Sequence, residues 1–220
     1  MFMTLISVII PAYNESETIL QILQKVNSQK IANIAFEIIV VDDGSKDDSV
    51  ELLEANPSLY THLVALSVNG GKGAAVMSGL RLASGDYVLF QDADLEYDPF
   101  DYDKLLLPFF ETDADIVYGS RFLGGGKYTR IHFFWHFMAN KILTFICNLF
   151  TNLNLTDIET GYKVFKTAML KKINLVEKSF SFEPEVTVKL AKGKFKFYEV
   201  PITYNGRSYD QGKKIGLKDA

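Results

Sequence analysis

Two periodicities alternate along the first 120 residues. Leu5–Ile10 (interrupted only by Ser7), Ile38–Val41 and Tyr87–Phe90 are apolar runs rich in β-branched and aromatic residues, the pattern of strands buried on both faces. Between them apolar residues fall at helical spacing: Ile19, Ile22, Leu23 and Val26, then Val76, Leu80 and Ala83. Ser45 followed by Asp48 has the spacing of a capping box and predicts a helix opening at Lys46. Strands alternating with amphipathic helices predict an α/β fold, Rossmann-like, with a mostly parallel sheet flanked by helices. In such sheets ligands bind at the carboxyl ends of the strands.

Further along, Ile116–Tyr118 predicts another strand and Gly124–Gly126 a break. An aromatic helix is expected within Ile131–Phe150, a helix near Glu183–Lys192, and a strand near Phe195–Tyr204. The tail from Arg207 to Lys218 is basic. No repeat or low-complexity linker divides the 220 residues, so one domain is expected over 1–220.

Composition narrows the function classes. Lys plus Arg (23) against Asp plus Glu (27) gives a net charge of −4, which offers no general attraction to nucleic acid. The single cysteine, Cys147, excludes an internal disulfide and a Cys-rich metal cluster, and fits a reducing, cytoplasmic setting. Met1–Ile10 is apolar but lacks a basic leader and runs into Pro11, so it does not read as a secretion signal. Ile131–Phe150 contains His132, His136, Asn140, Lys141 and Asn148, which makes it too polar for a transmembrane helix. It is nevertheless apolar on nearly every side, as expected of a helix that is either buried or lies in a membrane interface, and with no second domain to cover it the interface is the expectation.

Polar residues gather where the strands end: Pro11–Glu15, Asp42–Ser45, Gln91–Asp94 and Gly119–Arg121. Asp92-Ala93-Asp94 sets two carboxylates one residue apart just past a buried strand. Such a pair suits Mg²⁺ or Mn²⁺, which keep several waters and take further ligands from a substrate diphosphate. Asp42 and Asp43 are placed to accept hydrogen bonds from a base edge or ribose hydroxyls, while Gly44 and Ser45 serve equally well as turn and cap. Asn69–Gly73, containing Lys72, precedes a helix, so its backbone N–H groups are expected to meet an anion. It is not a P-loop, and no G-x-G-x-x-G follows the first strand. Ser120 has no evident His and Asp partners for triad chemistry, and His132 and His136 lack the glutamate of H-E-x-x-H.

Taken in order, Pro11-Ala12-Tyr13-Asn14-Glu15, Val40–Ser45, Asp92-Ala93-Asp94, Gly119-Ser120-Arg121, Asp157–Gly161, Glu199–Ile202 and the Arg207…Lys213-Lys214 tail resemble family 2 inverting glycosyltransferases of the GT-A type. Within that family the likeness is to dolichyl- or polyprenyl-phosphate mannose and glucose synthases. The resemblance implies a nucleotide-sugar-binding half over 1–121 and, in 122–220, an acceptor-side C-terminal extension facing the membrane. It implies that Pro11, Tyr13, Glu15, Val41 and Asp43, with Lys72, hold the donor nucleotide. Asp92, Ala93, Asp94 and Glu96 then fall at metal, diphosphate and sugar positions, although family members often carry Gln where Glu96 stands. Arg121 and Arg207 match phosphate-holding arginines. The implied donor is of the GDP-mannose or UDP-glucose class, and the implied acceptor is a polyprenyl or dolichyl phosphate. The implied location is peripheral, on the cytoplasmic face of a membrane. Members with membrane anchors carry them beyond the matched region, so the resemblance implies a catalytic domain with or without an anchor after Ala220.

Two other readings stay open at this point. Transfer to a sugar hydroxyl needs a general base, for which Asp157 or Glu159 would have to serve. A catalytically silent nucleotide-sugar-binding protein would need a broken metal motif, and Asp92-Ala93-Asp94 is intact.

Overall fold

Seven strands form one sheet in the order β3-β2-β1-β4-β6-β5-β7. The computed structural model describes residues 3–124, 134–179 and 181–206. In chain order the elements are β1 (Thr4–Ala12), α1 (Ile19–Ser28), β2 (Ile34–Asp42), α2 (Ser49–Glu54), β3 (His62–Ala65), α3 (Lys72–Leu82) and β4 (Tyr87–Phe90). They continue as α4 (Tyr102–Glu111), β5 (Ile116–Ser120), α5 (Phe134–Thr151), β6 (Lys163–Lys166), α6 (Thr167–Leu170), α7 (Phe182–Ala191) and β7 (Phe197–Pro201).

Strands β1, β2, β3 and β4 pair in parallel, as do β5 and β7. Only β6 runs the other way, antiparallel to both β4 and β5. The carboxyl ends of β1, β2, β4 and β5 therefore lie on one edge of the sheet. Because β6 is reversed, its beginning reaches that same edge, and Asp157–Tyr162 arrives there with it.

Both faces of the sheet are covered, which is why the strand sequences are mostly apolar. On one face Ile6, Val8 and Ile10 pack with Ile19, Ile22, Leu23 and Val26 of α1 and Leu105 and Leu106 of α4. On the other, Ile9, Ile39 and Val41 pack with Ala75, Val76 and Leu80 of α3 and Phe182, Val186 and Leu190 of α7.

Strands β3 and β6 and helix α4 are among the elements that were not legible from pattern alone. Strand β3 is a short, half-buried edge strand. Strand β6 begins and ends in lysine, and Lys163 is fully buried because Glu183 and the Ile158 and Thr160 carbonyls receive its ammonium. Helix α4 carries Pro108 in its interior, which reads as a breaker. The helix expected at Lys46 begins instead at Ser49, with no side-chain cap. Ser45 is taken by Asp42, whose carboxylate accepts both its N–H (2.9 Å) and its hydroxyl (2.5 Å).

Candidate active site

The loops after β1 and β2 are laced into one surface. Asn14 N–H donates to Ser45 Oγ at 2.8 Å, Lys46 N–H to Asn14 Oδ1 at 2.8 Å, and Glu15 N–H to Ser49 Oγ at 3.0 Å. Glu15 also accepts the Thr18 hydroxyl at 2.9 Å. Pro11, Tyr13 and Glu15 are partly exposed along this rim, at the mouth expected for a donor nucleotide.

Several residues expected to touch the donor are engaged within the protein instead. Asp42 is fully buried with both oxygens on Ser45, so it shapes the turn. Asp43 is 3% exposed, and its two oxygens accept the N–H groups of Gly70 (2.8 Å) and Gly71 (2.7 Å). Burial pushes its carboxyl above the usual carboxylate range, against the pull of those two N–H groups. The anion met by the glycine loop is thus Asp43 itself, and Asp43 orders the loop that ends in Lys72. The glycines answer a packing demand: a Cβ on Gly71 would stand 2.5 Å from the Lys178 carbonyl oxygen and one on Gly73 2.3 Å from that of Glu177. Gly71 also has φ +90°, which disfavours any side chain. Val41 and Ala93 are core residues, so their side chains do not line a pocket.

Asp92 and Asp94 project past β4 on a turn closed by Leu95 at φ +62°, an unusual conformation for a bulky residue and one that collects at functional sites. Asp94 Oδ1 accepts the Glu96 N–H at 3.1 Å. Asp92 Oδ1 lies 2.8 Å from Lys72 Nζ, and its other oxygen packs so closely on Gly161 that a Cβ there would fall 2.4 Å away. Lys72, at 14% side-chain exposure, also meets Glu183 at 3.0 Å. Despite its burial these two carboxylates hold its ammonium well above the usual lysine range. Glu96 accepts the Tyr204 hydroxyl at 2.5 Å. Among the described residues no group of three His, Cys, Asp or Glu side chains is arranged to hold a metal ion. Two hard carboxylates at one strand end still fit Mg²⁺ or Mn²⁺, because such ions complete their shells with water and substrate phosphate.

An aromatic floor joins this pair to the second half of the site. Gln91, fully buried, accepts the hydroxyls of Tyr102 (2.9 Å) and Tyr162 (2.7 Å). Tyr97 stacks on Tyr162 and Tyr204 and accepts the Gly161 N–H at 2.8 Å. Tyr204 then lies 5.1 Å below the Arg121 guanidinium.

Arg121 is held by Asp157. Its Nε and Nη2 donate to the two Asp157 oxygens at 2.7 Å each, and its backbone N–H adds a third bond at 3.1 Å. Asn140 supplies a fourth at 2.9 Å. A carboxylate offers about four acceptor places, and these fill them. Asp157 is fully buried, yet the guanidinium and the bonds from it keep its carboxyl below the usual range. Sequence reasoning left Asp157 as a possible base and Arg121 as an independent phosphate ligand; the structure joins them into one unit. Glu159 differs: it is half-buried, and burial raises its carboxyl against the attraction of Lys163. Arg207 lies outside the described residues, as do Lys127, Arg130 and His132.

Helix α5 is built inside out. Its buried stripe is Asn140, Thr144 and Cys147. Thr144 donates to Asn140 Oδ1 and accepts the Ile158 N–H, while Asn148 both donates to and accepts from Leu155. Polar bonds thus tie the helix to the loop that carries Asp157. Outward it presents Trp135 (75% exposed), Phe145, Leu149 and Phe150 (81% exposed). Among the described residues no helix is long and apolar enough to cross a membrane.

A mostly parallel sheet with nucleotide-side loops at β1, β2 and β4 and a carboxylate pair after β4 defines a GT-A type sugar transferase. The chain belongs to the glycosyl transferase family 2, whose model matches residues 7–174. It is 29% identical to a dolichol-phosphate mannosyltransferase of Pyrococcus furiosus over 96% of this chain and 59% of that protein. It is 32% identical to the glycosyltransferase AglJ of Haloferax volcanii, over 92% of this chain and 63% of AglJ. The chain thus spans about three fifths of these two relatives. In fold it is similar to glucosyl-3-phosphoglycerate synthase from Mycobacterium tuberculosis, solved with Mn²⁺, UDP and glucosyl-3-phosphoglycerate. That likeness has a TM-score of 0.68 at 21% identity, covering 94% of this chain and 74% of the other.

Proposed function

We propose that this glycosyltransferase moves a hexose of the mannose or glucose class from a nucleoside diphosphate to a polyprenyl or dolichyl phosphate, at the cytoplasmic surface of a membrane. The observation that carries the reading is the state of Asp157. A buried carboxylate with all its acceptor places filled and its proton affinity lowered is a poor general base. An anionic acceptor needs none: a phosphate monoester has a second pKa near ~6 and is already a nucleophile at neutral pH. What it needs is fixed positive charge, and Arg121 is pre-oriented for that by Asp157.

In this mechanism the rim of Pro11, Tyr13 and Glu15 receives the nucleoside, over a loop shaped by Asp43. Asp92 and Asp94 would hold Mg²⁺ or Mn²⁺, which when bound supplies charge stabilisation to the departing diphosphate. Arg121, joined by Arg207 from the tail, steers the acceptor phosphate to the anomeric carbon opposite the leaving group. In-line attack through an oxocarbenium-like transition state inverts that centre. The outward apolar face of α5 supports the lipid reading, because such a face has a natural partner in the acyl boundary where a polyprenyl chain lies. The mannosyltransferase relative supports the same acceptor class.

Transfer to a hydroxyl is the second reading, favoured by the raised carboxyl of Glu159. Glu159→Gln separates the two. With saturating donor and a short-chain polyprenyl phosphate, kcat is expected to stay within about threefold of wild type. A loss of about 10²–10⁴-fold, the usual cost of removing a general base, would make Glu159 a required base and contradict the base-free mechanism.

A further inference from the structure

Four alternating charges run from the core to the diphosphate edge of the site: Lys163, Glu183, Lys72 and Asp92. Lys163 is fully buried, bonded to the Ile158 carbonyl at 3.0 Å and to that of Thr160, and paired with Glu183. Glu183, 2% exposed, lies in the first turn of α7 and is thereby fixed in place. Lys72 opens α3, and its ammonium is divided between Glu183 (3.0 Å) and Asp92 (2.8 Å). Loop 177–179 packs on Gly71 and Gly73, which leaves the start of α3 little room to retreat.

This arrangement places a cation on one of the two carboxylates that a metal would share. A divalent ion arriving alone would meet Asp94 together with an ammonium already paired to Asp92. A nucleoside diphosphate changes the balance, because its phosphate oxygens offer that ammonium a new partner. We infer that Lys72 is a built-in counter-cation that keeps metal off Asp92 until the donor's diphosphate arrives, and that Glu183 is the positioning residue that retains Lys72 at the site during the exchange. Metal and nucleotide then bind as a cooperative pair, each raising the affinity of the other by the same factor. The inference rests on the reading of Asp92 and Asp94 as holders of a metal–diphosphate unit.

The test is Mn²⁺ binding to the full chain, followed by the electron paramagnetic resonance signal of the free ion, with and without UDP or GDP. Wild type, Lys72→Met and Lys72→Arg are compared, each first checked by near-UV circular dichroism. Lys72→Met is expected to bind Mn²⁺ alone about tenfold more tightly than wild type, and its gain on adding nucleotide is expected to shrink by about the same factor. Lys72→Arg, which keeps the charge, should stay near wild type. Lys72→Gln, which can still hydrogen-bond both carboxylates, replaces the Met variant should that one not fold. If the neutral variant binds Mn²⁺ no better than wild type while both take it up with nucleotide, the counter-cation role is overturned and the metal–diphosphate reading stands. If no protein takes up Mn²⁺ with either nucleotide, the metal–diphosphate reading falls and the inference falls with it.

Discussion

Asp157→Asn is expected to destabilise the protein by about 3–5 kcal/mol, the usual consequence of removing one partner of a buried ion pair. The guanidinium of Arg121 would lose both 2.7 Å bonds to a charged acceptor while staying largely out of water. Transfer should fall with it, because an unheld Arg121 no longer presents its charge to the acceptor in one orientation. The stability profile carries the sign of the interaction. Arg121 depresses the folded carboxyl of Asp157, so the contribution is complete above about pH 4, the ordinary aspartate value, and is lost as pH falls through the lower folded pKa. Urea denaturation of both proteins between pH 7 and pH 3 checks this: the gap between them should narrow on acidification. A constant gap, or one below about 1 kcal/mol at pH 7, would mean the pair is not the fastening described here.

Asp94→Ala is expected to reduce kcat by about a thousandfold or more, equivalent to about 4 kcal/mol of lost transition-state stabilisation. Its structural cost should be smaller than that of Asp157→Asn, because Asp94 is only half-buried and its bond to the Glu96 N–H, worth about 1 kcal/mol, lies within its own turn. Single-turnover transfer with saturating donor, alongside a thermal melt, separates the two effects. Turnover within tenfold of wild type would remove Asp94 from the diphosphate site.

The strand ends were legible in the sequence because a strand buried on both faces announces itself as an apolar run, and the polar residues that follow mark where that run stops. Asp92 and Asp94, at the end of β4, are the plainest case. What stayed hidden is pairing across distance. Nothing in the local pattern tells that Asp157 belongs to Arg121, 36 residues away, or that Lys72 divides itself between Asp92 and Glu183. Lys163 gives no sign in the sequence of being buried, since its compensation comes from α7. The glycine loop at residues 69–73 looked like an anion cradle and is one, but its anion is the Asp43 carboxylate. Val41 and Ala93 sit beside acidic strand-end residues in the sequence and yet are buried in the core. The alternation of α5 could be read as apolar on all sides; only its packing reveals that the polar residues are the ones turned inward.

The central claim, a phosphate acceptor that needs no base, is tested most directly by letting two acceptors compete. Labelled GDP-mannose and UDP-glucose, each with Mg²⁺ or Mn²⁺, are incubated with vesicles carrying a short-chain polyprenyl phosphate or the corresponding polyprenol, and the lipid product is extracted. Label is expected in the lipid fraction with the phosphate and one of the two donors, and none above background with the alcohol. Transfer to the alcohol or to a soluble sugar, with none to the phosphate, would contradict the account.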